Sequence, residues 1–149
     1  MSHWTYQGKI LEEAPEDMYG FVYMITTPEG LKYIGKKQFF SIRRRKVSGS
    51  TRRKVTKSES NWKTYASSSD HLKKMIKASG SEGFKFEVLV LCETKGQLSY
   101  AEEYLQFLYH ALPDENFLNN AIGSGKFRGV KFTPKFVDNL KNFKGDGDK

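Results

Sequence analysis

The chain has 149 residues, one cysteine and a formal net charge of +8 at pH 7. A lone cysteine excludes an internal disulfide, and the spacing of the cysteine and the 3 histidines does not suit a structural zinc site. No apolar run reaches the length of a membrane span and no signal peptide begins the sequence, so we expect a reduced, cytoplasmic setting.

The positive charge is concentrated in one segment. Ten of the 25 Lys and Arg residues lie between Lys36 and Lys57, where there is no acidic residue, whereas the rest of the chain has 15 basic and 17 acidic residues. A local positive field of this kind indicates a polyanionic partner such as nucleic acid. A solvated, flexible linker has the same composition, and composition alone leaves both interpretations open.

The first predicted elements form a hairpin. Residues 1–18 are interpreted as a lead-in that packs on the domain through Trp4 and Tyr6. The run GFVYMITT over residues 20–27 and the run over residues 31–35 are predicted strands, separated by Pro-Glu-Gly turn chemistry. A three-residue loop with Gly30 in the left-handed region would place Tyr23 and Tyr33 on one face of the sheet. A two-residue loop would separate them.

The segment from residue 36 to residue 63 has neither helical nor strand periodicity. It is therefore predicted to be a long loop, with one helical turn around residues 40–45. Ser69 is a suitable N-cap for a short helix over residues 69–79, which Gly80 ends, and His71 is interpreted as a residue of its surface. The run from Phe84 to Cys92 is predicted to be a central strand, with residues 84, 86, 88, 90 and 92 on one face.

The segment Gln97–Leu112 has the clearest helical periodicity, with an apolar stripe at residues 98, 101, 105, 108 and 112. Helical geometry places Glu102 about 80° from the centre of this stripe and Glu103 almost opposite it. Glu102 can therefore reach a cleft, although from this spacing alone an ion pair with a nearby Lys or Arg explains its position slightly better. A last helix is predicted to begin at Thr133-Pro134, with residues 136, 137, 140 and 143 on its inner face.

Five segments follow one another along the chain: Gly20-Phe21-Val22-Tyr23, Lys32-Tyr33-Ile34-Gly35, Asn61-Trp62-Lys63-Thr64-Tyr65-Ala66-Ser67-Ser68, Gln97-Leu98-Ser99-Tyr100-Ala101-Glu102 and Phe117-Leu118-Asn119. Together they resemble the signature of the GIY-YIG nuclease family. Ala66 stands where glycine is usual. The closest likeness is to small endonucleases of tailed bacteriophages, which would place the protein in a bacterial host cell.

The resemblance implies an α+β fold, a GIY-YIG-like three-stranded antiparallel sheet flanked by helices, here with a long basic loop and a C-terminal helix. The nuclease domain would cover residues 19–123 with the basic loop at 36–64, and residues 124–149 would form a basic, aromatic extension. The activity implied is metal-dependent hydrolysis of DNA phosphodiester bonds with one Mg²⁺ or Mn²⁺ per site.

The resemblance also implies roles for individual residues. Glu102 would hold the metal, Tyr23 would be the general base, and Tyr33 would position water or phosphate. Arg43 would stabilise the developing charge, with Arg44 and Arg45 as alternatives, and Tyr65 is the candidate for a further family position. Gly35 and Asn119 would support the site. We expect the nearby cations to lower the pKa of the tyrosine base.

Phosphate contacts are expected from the basic segment, through Lys36, Lys37, Arg44, Arg45, Lys46, Arg52, Arg53, Lys54 and Lys57. No separate sequence-reading domain is visible, so little sequence specificity is expected. The alternative hypothesis is a non-catalytic nucleic-acid-binding module that keeps the fold. The sequence predicts no membrane partner and leaves monomer and homodimer open.

Overall fold

The computed structural model describes residues 2–46, 48–49, 53–122, 125–126 and 133–135, with the backbone alone at 43–46, 53–56, 121 and 125–126. Its centre is a five-stranded sheet in the order β2 (Lys9–Ile10), β1 (Thr5–Tyr6), β7 (Lys85–Cys92), β3 (Gly20–Thr26) and β4 (Lys32–Gln38). Two helices flank the sheet, so the predicted α+β class is confirmed. The predicted antiparallel core of three strands is the group β7-β3-β4, to which two short strands are added.

The predicted first hairpin is present. Strand β3 (Gly20–Thr26) pairs with β4 (Lys32–Gln38). The amide of Thr27 donates to the Leu31 carbonyl at 2.8 Å, which leaves a three-residue loop, and Gly30 has a φ of 91°. Only a residue without a Cβ adopts this angle easily. Because Tyr23 pairs with Gly35, two residues from Tyr33, both tyrosines lie on the same face.

Strand β7 (Lys85–Cys92) is central, as predicted, but its alternation is interrupted. Val22 pairs with Val90 and the next residue, Tyr23, pairs with Val88, so Leu89 is an extra residue in a β-bulge. Beyond the bulge the two sets of side chains exchange faces. Val88 packs with the Tyr23 side of the sheet, whereas Val90 and Cys92 pack with the opposite side. The prediction of one continuous face over residues 84–92 is therefore wrong.

The lead-in contributes to the sheet. Strand β1 (Thr5–Tyr6) pairs in parallel with β7, and β2 (Lys9–Ile10) pairs with β1 in antiparallel orientation at the outer edge. Trp4 is completely buried, and its indole N–H donates to the Trp62 carbonyl at 2.6 Å. The packing expected of Trp4 is thus observed, whereas the two strands were not predicted.

The predicted long loop is instead a second hairpin. Strand β5 (Phe40–Lys46) pairs in antiparallel orientation with β6 (Arg53–Glu59) over seven residue pairs. The prediction of an irregular loop with a helical turn is therefore wrong. Consecutive arginines hide the strand alternation that begins with Phe40 and Ile42, both of which lie on one face of the hairpin.

Both central helices form where expected. Helix α1 (Asp70–Ser79) is capped by the Ser69 hydroxyl, which accepts from the Leu72 amide, and Gly80 ends it with a φ of 80°. Helix α2 (Lys95–Leu108) begins at the Thr94 cap and ends four residues before the predicted Leu112. The predicted inner stripe is also rotated, because Leu108 is 57% exposed while Gln106 is 4% exposed.

Each face of the sheet has its own hydrophobic core. One core contains Trp4, Phe21, Tyr23, Trp62 and Leu72 of α1, and the other contains Val22, Met24, Ile34, Cys92 and Leu98 of α2. The two helices therefore cover opposite faces. Because β4 is the edge strand of the sheet, its side chains and those of α2 can meet beyond this edge.

The chain continues beyond α2 into a small two-stranded sheet of β8 (Ala121–Ile122) and β9 (Gly125–Lys126). Of the predicted last helix, only residues 133–135 are described, and its inner-face residues lie outside the described residues. In the parts of the chain that the structure describes, no helix is long and apolar enough to cross a membrane.

Candidate active site

The site is built along the open edge of β4. The amide and carbonyl of Ile34 point away from β3, where an edge strand would otherwise leave them unpaired. The Asn119 side chain accepts from the Ile34 amide at 3.1 Å and donates to the Ile34 carbonyl at 2.8 Å. The Gln106 amide donates to the same carbonyl at 3.0 Å. These bonds fix α2 and the segment after it against β4.

An open cleft of about 440 Å³ lies above this edge, between the start of α1 and the middle of α2. Its lining includes Tyr33 from β4 and Glu102 from α2, two residues that belong to separate sequence motifs. The other lining residues are Ser68, Ser69, Asp70, His71, Gln106, Leu118, Asn119 and Asn120. The lining is mostly polar, as expected of a site for a charged substrate.

Glu102 is largely buried in this cleft, with its side chain 18% exposed. Lys36 lies 3.8 Å from its carboxylate and also donates to the Ser99 hydroxyl at 3.2 Å. Burial raises the pKa of Glu102, an effect that Lys36 opposes and Glu103 reinforces. The ion pair considered in the sequence analysis is therefore present, but it does not offset the cost of burying the carboxylate.

Tyr33 is the aromatic residue of the cleft. Its hydroxyl forms a hydrogen bond of 3.2 Å with the Ser68 hydroxyl at the start of α1. Burial raises the pKa of Tyr33, while the bond to Ser68 opposes this shift and the charge of Glu102 adds to it. The hydroxyl is thus held in position by a neutral neighbour and faces the same cleft as the Glu102 carboxylate.

Tyr23 lies behind Tyr33, with their ring centroids 6.3 Å apart. Tyr23 is completely buried, and its hydroxyl interacts with Tyr65 but makes no hydrogen bond of good geometry among the described residues. Burial strongly raises the pKa of Tyr23, and Tyr65 and Tyr33 add to the shift. The expectation that nearby lysines and arginines lower the pKa of this tyrosine is therefore wrong for the described part of the chain.

Gly35 makes the close approach of Tyr23 possible. A Cβ at residue 35 would lie 2.6 Å from Cζ of Tyr23 and 3.1 Å from Cε1 of Tyr33. Real Cβ atoms essentially never show the first separation, and the second is tighter than most Cβ contacts, so any side chain at this position would displace a tyrosine. The glycine is needed because the ring of Tyr23 packs directly on the backbone of β4.

Tyr65 completes an aromatic cluster, with its ring edge-on to Tyr23 at 6.1 Å. The Lys37 ammonium lies 4.3 Å from the centroid of the Tyr65 ring, and burial lowers the pKa of Lys37. Tyr65 and Tyr23 lie outside the cleft lining, which only Tyr33 of the three tyrosines reaches.

The remaining predicted site residues belong to the second hairpin. The described backbone places Arg43, Arg44, Arg45 and Lys46 on β5 and Arg53, Lys54 and Lys57 on β6. Of these, only Lys57 has a described side chain, and its ammonium lies 4.3 Å from the centroid of the Phe40 ring. Arg52 lies outside the described residues. The structure thus brings Lys36 and Lys37 to the tyrosines and Glu102.

Seven residues of the cleft lining were not among the predicted site residues, and they include His71, Ser68 and Gln106. His71 is exposed on the helix surface, as predicted, and it also lines the cleft. The available signal for Ser68 and His71 was their position in the sequence: Ser68 is the last residue of the 61–68 motif, and His71 lies in the first turn of the helix that follows. Gln106 gave no such signal, because a polar residue in an amphipathic helix is normally assigned to its exposed face.

The donor set for a metal ion is sparse. Within the described ranges, no group of three or more His, Cys, Asp and Glu side chains could hold a metal. Glu102 and Asp70 are the acidic residues of the cleft lining, and Oε1 of the buried Gln106 has no hydrogen-bond partner among the described atoms. Asp70 is exposed at the start of α1, whereas Glu102 is largely buried. Glu102 could therefore supply one protein carboxylate to a hydrated divalent ion.

A family model described as "Putative endonuclease segE, GIY-YIG domain" matches residues 4–122. The chain belongs to the GIY-YIG endonuclease family. The GIY-YIG match includes Trp4 and β1, so it begins inside the segment interpreted above as a lead-in. No curated protein and no solved structure gave a significant match. Membership of the GIY-YIG family supports nuclease activity and implies DNA as the substrate.

Proposed function

We propose that the protein is a metal-dependent DNA endonuclease that hydrolyses phosphodiester bonds with little sequence specificity. The observation that supports this most strongly is the position of Tyr33 and Glu102 in one cleft, although α1 and α2 cover opposite faces of the sheet. Glu102 reaches the Tyr33 side because β4 is the edge strand. A protein that only binds DNA has no need of a carboxylate beside the phosphate.

The residues present fit a single divalent cation, Mg²⁺ or Mn²⁺, held by Glu102. Its carboxylate is largely desolvated and only partly compensated by Lys36 at 3.8 Å, so a second positive charge would be stabilised there. When bound, such an ion stabilises the charge that develops on phosphate oxygens and lowers the pKa of its bound water. Lys36 would then be free to contact a phosphate.

The chain's own groups would prepare the attack. The Tyr33 hydroxyl, oriented by Ser68, would position the water or a phosphate oxygen. Tyr23 would accept the proton as a phenolate after losing its own proton to solvent, which requires its buried hydroxyl to become accessible and its raised pKa to fall when positive charge enters the cleft. Arg43 would add a guanidinium to the developing charge, and Tyr65 and Asn119 would hold Tyr23 and β4 in place.

One observation favours a second candidate function, a DNA-binding module without catalysis. The hydroxyl of Tyr23 is completely buried without a hydrogen bond of good geometry among the described residues, and its pKa is raised instead of lowered. A tyrosine in this state is a poor base. In that alternative, Tyr23 is only a core residue that packs on Gly35.

Digestion of supercoiled plasmid separates the two candidates. If the protein is an endonuclease, the plasmid should be converted to the nicked form in Mg²⁺ and stay supercoiled in EDTA. Nicking is expected because one site with one ion cuts one strand at a time. Nicks should be distributed over many sequences when they are mapped in a plasmid library. Tight binding of plasmid without cleavage, at any concentration of Mg²⁺ or Mn²⁺, would instead support the binding module.

A further inference from the structure

The β5–β6 hairpin stands apart from the main sheet. Its two strands pair with each other and with no other strand in the described structure. At its base Phe39 is completely buried and its carbonyl accepts from the Ser60 amide at 2.8 Å, while the Ser60 hydroxyl donates to the Gln38 carbonyl at 2.6 Å. Just above the base, Phe40 packs against the core, and Ile42 and Lys57 line a pocket with residues 14–19 and Glu93. The ribbon therefore continues directly from β4, the strand that carries Tyr33.

The register of the ribbon places like charges opposite each other. Arg45 pairs with Lys54, and the next residue, Lys46, pairs with Arg53. Directly opposed like charges destabilise an antiparallel pair, and no acidic residue lies between residues 36 and 57 to compensate them. The strand pairing alone does not explain these residues, whereas an external polyanion would.

Both faces of the ribbon carry cations. Side chains alternate along each strand, so the register assigns the basic residues to two sets. One face has Arg44, Lys46, Arg53 and Lys57, and the other has Arg43, Arg45 and Lys54. A ribbon that lay flat on a polyanion would need cations on one face only. Cations on both faces suit a position between two rows of phosphates.

We propose that the β5–β6 ribbon enters the major groove of duplex DNA, an inference that rests on DNA being the substrate as set out above. The major groove of B-form DNA is about 12 Å wide and admits a two-stranded ribbon. Two strands about 4.8 Å apart and about 23 Å long match that groove. Each face would then meet the phosphates of one strand, and the duplex would be aligned with the cleft at β4.

This placement predicts a preference among nucleic acids. The major groove of an A-form RNA duplex is deep and too narrow for side chains to read, and a single strand offers only one row of phosphates. We therefore expect duplex DNA to bind at least tenfold more tightly than an RNA duplex of the same length or single-stranded DNA. Equal affinity for all three would show nonspecific attraction to phosphate and would overturn the proposal.

The mutational test uses fluorescence anisotropy with a labelled DNA duplex in EDTA, so that it does not depend on cleavage. Arg45→Gln/Lys54→Gln removes one opposed pair, and Lys9→Gln/Lys85→Gln removes two exposed charges from β2 and β7 as a matched control. The hairpin variant should weaken binding about thirtyfold at 0.15 M salt and reduce the slope of log K against log salt by about 2. The control should change affinity less than threefold.

Two further results decide the proposal. The thermal midpoint of the hairpin variant should equal or exceed that of wild type, because a repulsive pair has been removed; a lower midpoint would assign the pair to folding. Bulky 5-alkynyl pyrimidines, which fill the major groove, should weaken binding at least tenfold, whereas the minor-groove ligand netropsin should not compete. The reverse pattern would overturn groove entry, even if the wild type cleaves DNA normally.

Discussion

The phenol ring of Tyr23 packs on the backbone of Gly35, so that a Cβ at residue 35 would lie 2.6 Å from Cζ of that ring. This contact is where the two halves of the family signature meet, since β3 supplies the tyrosine and β4 the glycine. Tyr33 lies next to the same glycine, and its side chain lines the cleft. The packing of Tyr23 from β3 therefore requires a glycine in β4.

Gly35→Ala should therefore destabilise the protein by about 1–3 kcal/mol, as overpacking of a core does. It should also reduce cleavage, because Tyr23 or Tyr33 must move. Gly96→Ala is the matched control, since a Cβ there meets no atom within 4 Å. Alanine in that helix should leave stability equal or slightly higher. Chemical denaturation measures both effects, and equal stability of the two variants would contradict the packing described.

Tyr23→Phe should separate stability from activity. The buried hydroxyl interacts with Tyr65 without a hydrogen bond of good geometry, so its removal should change the free energy of unfolding by no more than about 1 kcal/mol. Cleavage should nevertheless fall at least a hundredfold if this hydroxyl is the base. Tyr33→Phe is the comparison, because its bond to Ser68 is exposed and its loss should change stability by less than about 0.5 kcal/mol. Full cleavage by Tyr23→Phe would reduce Tyr23 to a core residue.

Asn119→Ala should destabilise the edge of β4. It leaves the buried amide of Ile34 without its acceptor and removes one of two donors from the Ile34 carbonyl. The expected loss is about 2–3 kcal/mol in chemical denaturation. Asn116→Ala changes the same residue type at an exposed position and should cost less than about 0.5 kcal/mol. A similar cost for both variants would show that Asn119 does not secure β4.

His3 should make stability depend on pH. Its ring stacks on Phe86 with centroids 3.8 Å apart, and its Nε2 lies 2.9 Å from the Tyr65 carbonyl. Burial lowers the pKa of His3 from 6.5, and the bond to Tyr65 opposes this shift. Protons therefore bind the unfolded chain more readily, so this contribution is complete above pH 6.5 and is lost as the pH falls below it.

The test compares wild type with His3→Gln, in which an amide can still donate to Tyr65. The difference in unfolding free energy between the two proteins should be smaller at pH 5.5 than at pH 7.5. His71 and His110 are present in both proteins, so their effects cancel. A difference that stays constant or grows at the lower pH would contradict the sign derived above.

The sequence predicted the first hairpin because its signals, strand alternation and a Pro-Glu-Gly turn, are local. It left two loop lengths open, and the structure has the three-residue loop that puts Tyr23 and Tyr33 on one face. The second hairpin was missed for the opposite reason. Its strands are dominated by cations and contain opposed like charges, so neither periodicity nor pairing preference indicates a strand.

The cleft was only partly predictable. Glu102 was identified, but its neighbours Gln106 and His71 were not, because long-range contacts place them there. Gln106 is buried because its side-chain amide donates to the Ile34 carbonyl. The hydropathy of the sequence cannot reveal a hydrogen bond between two residues that are 72 positions apart. The same contact rotates α2 relative to the apolar stripe and leaves Leu108 exposed.

The central claim, that Glu102 holds a catalytic cation, is tested most directly by two neighbouring variants. Glu102→Gln and Glu103→Gln each remove one carboxylate charge from α2, but only Glu102 lines the cleft, while Glu103 is exposed. The measurement is single-turnover nicking of supercoiled plasmid over a range of Mn²⁺ concentrations, with DNA binding determined in parallel. We predict that Glu102→Gln binds DNA normally but has a nicking rate at least a thousandfold lower than wild type. Its thermal midpoint should not rise with Mn²⁺, while Glu103→Gln should behave as wild type in all these measurements. Wild-type nicking by Glu102→Gln, or equal loss in both variants, would contradict the account.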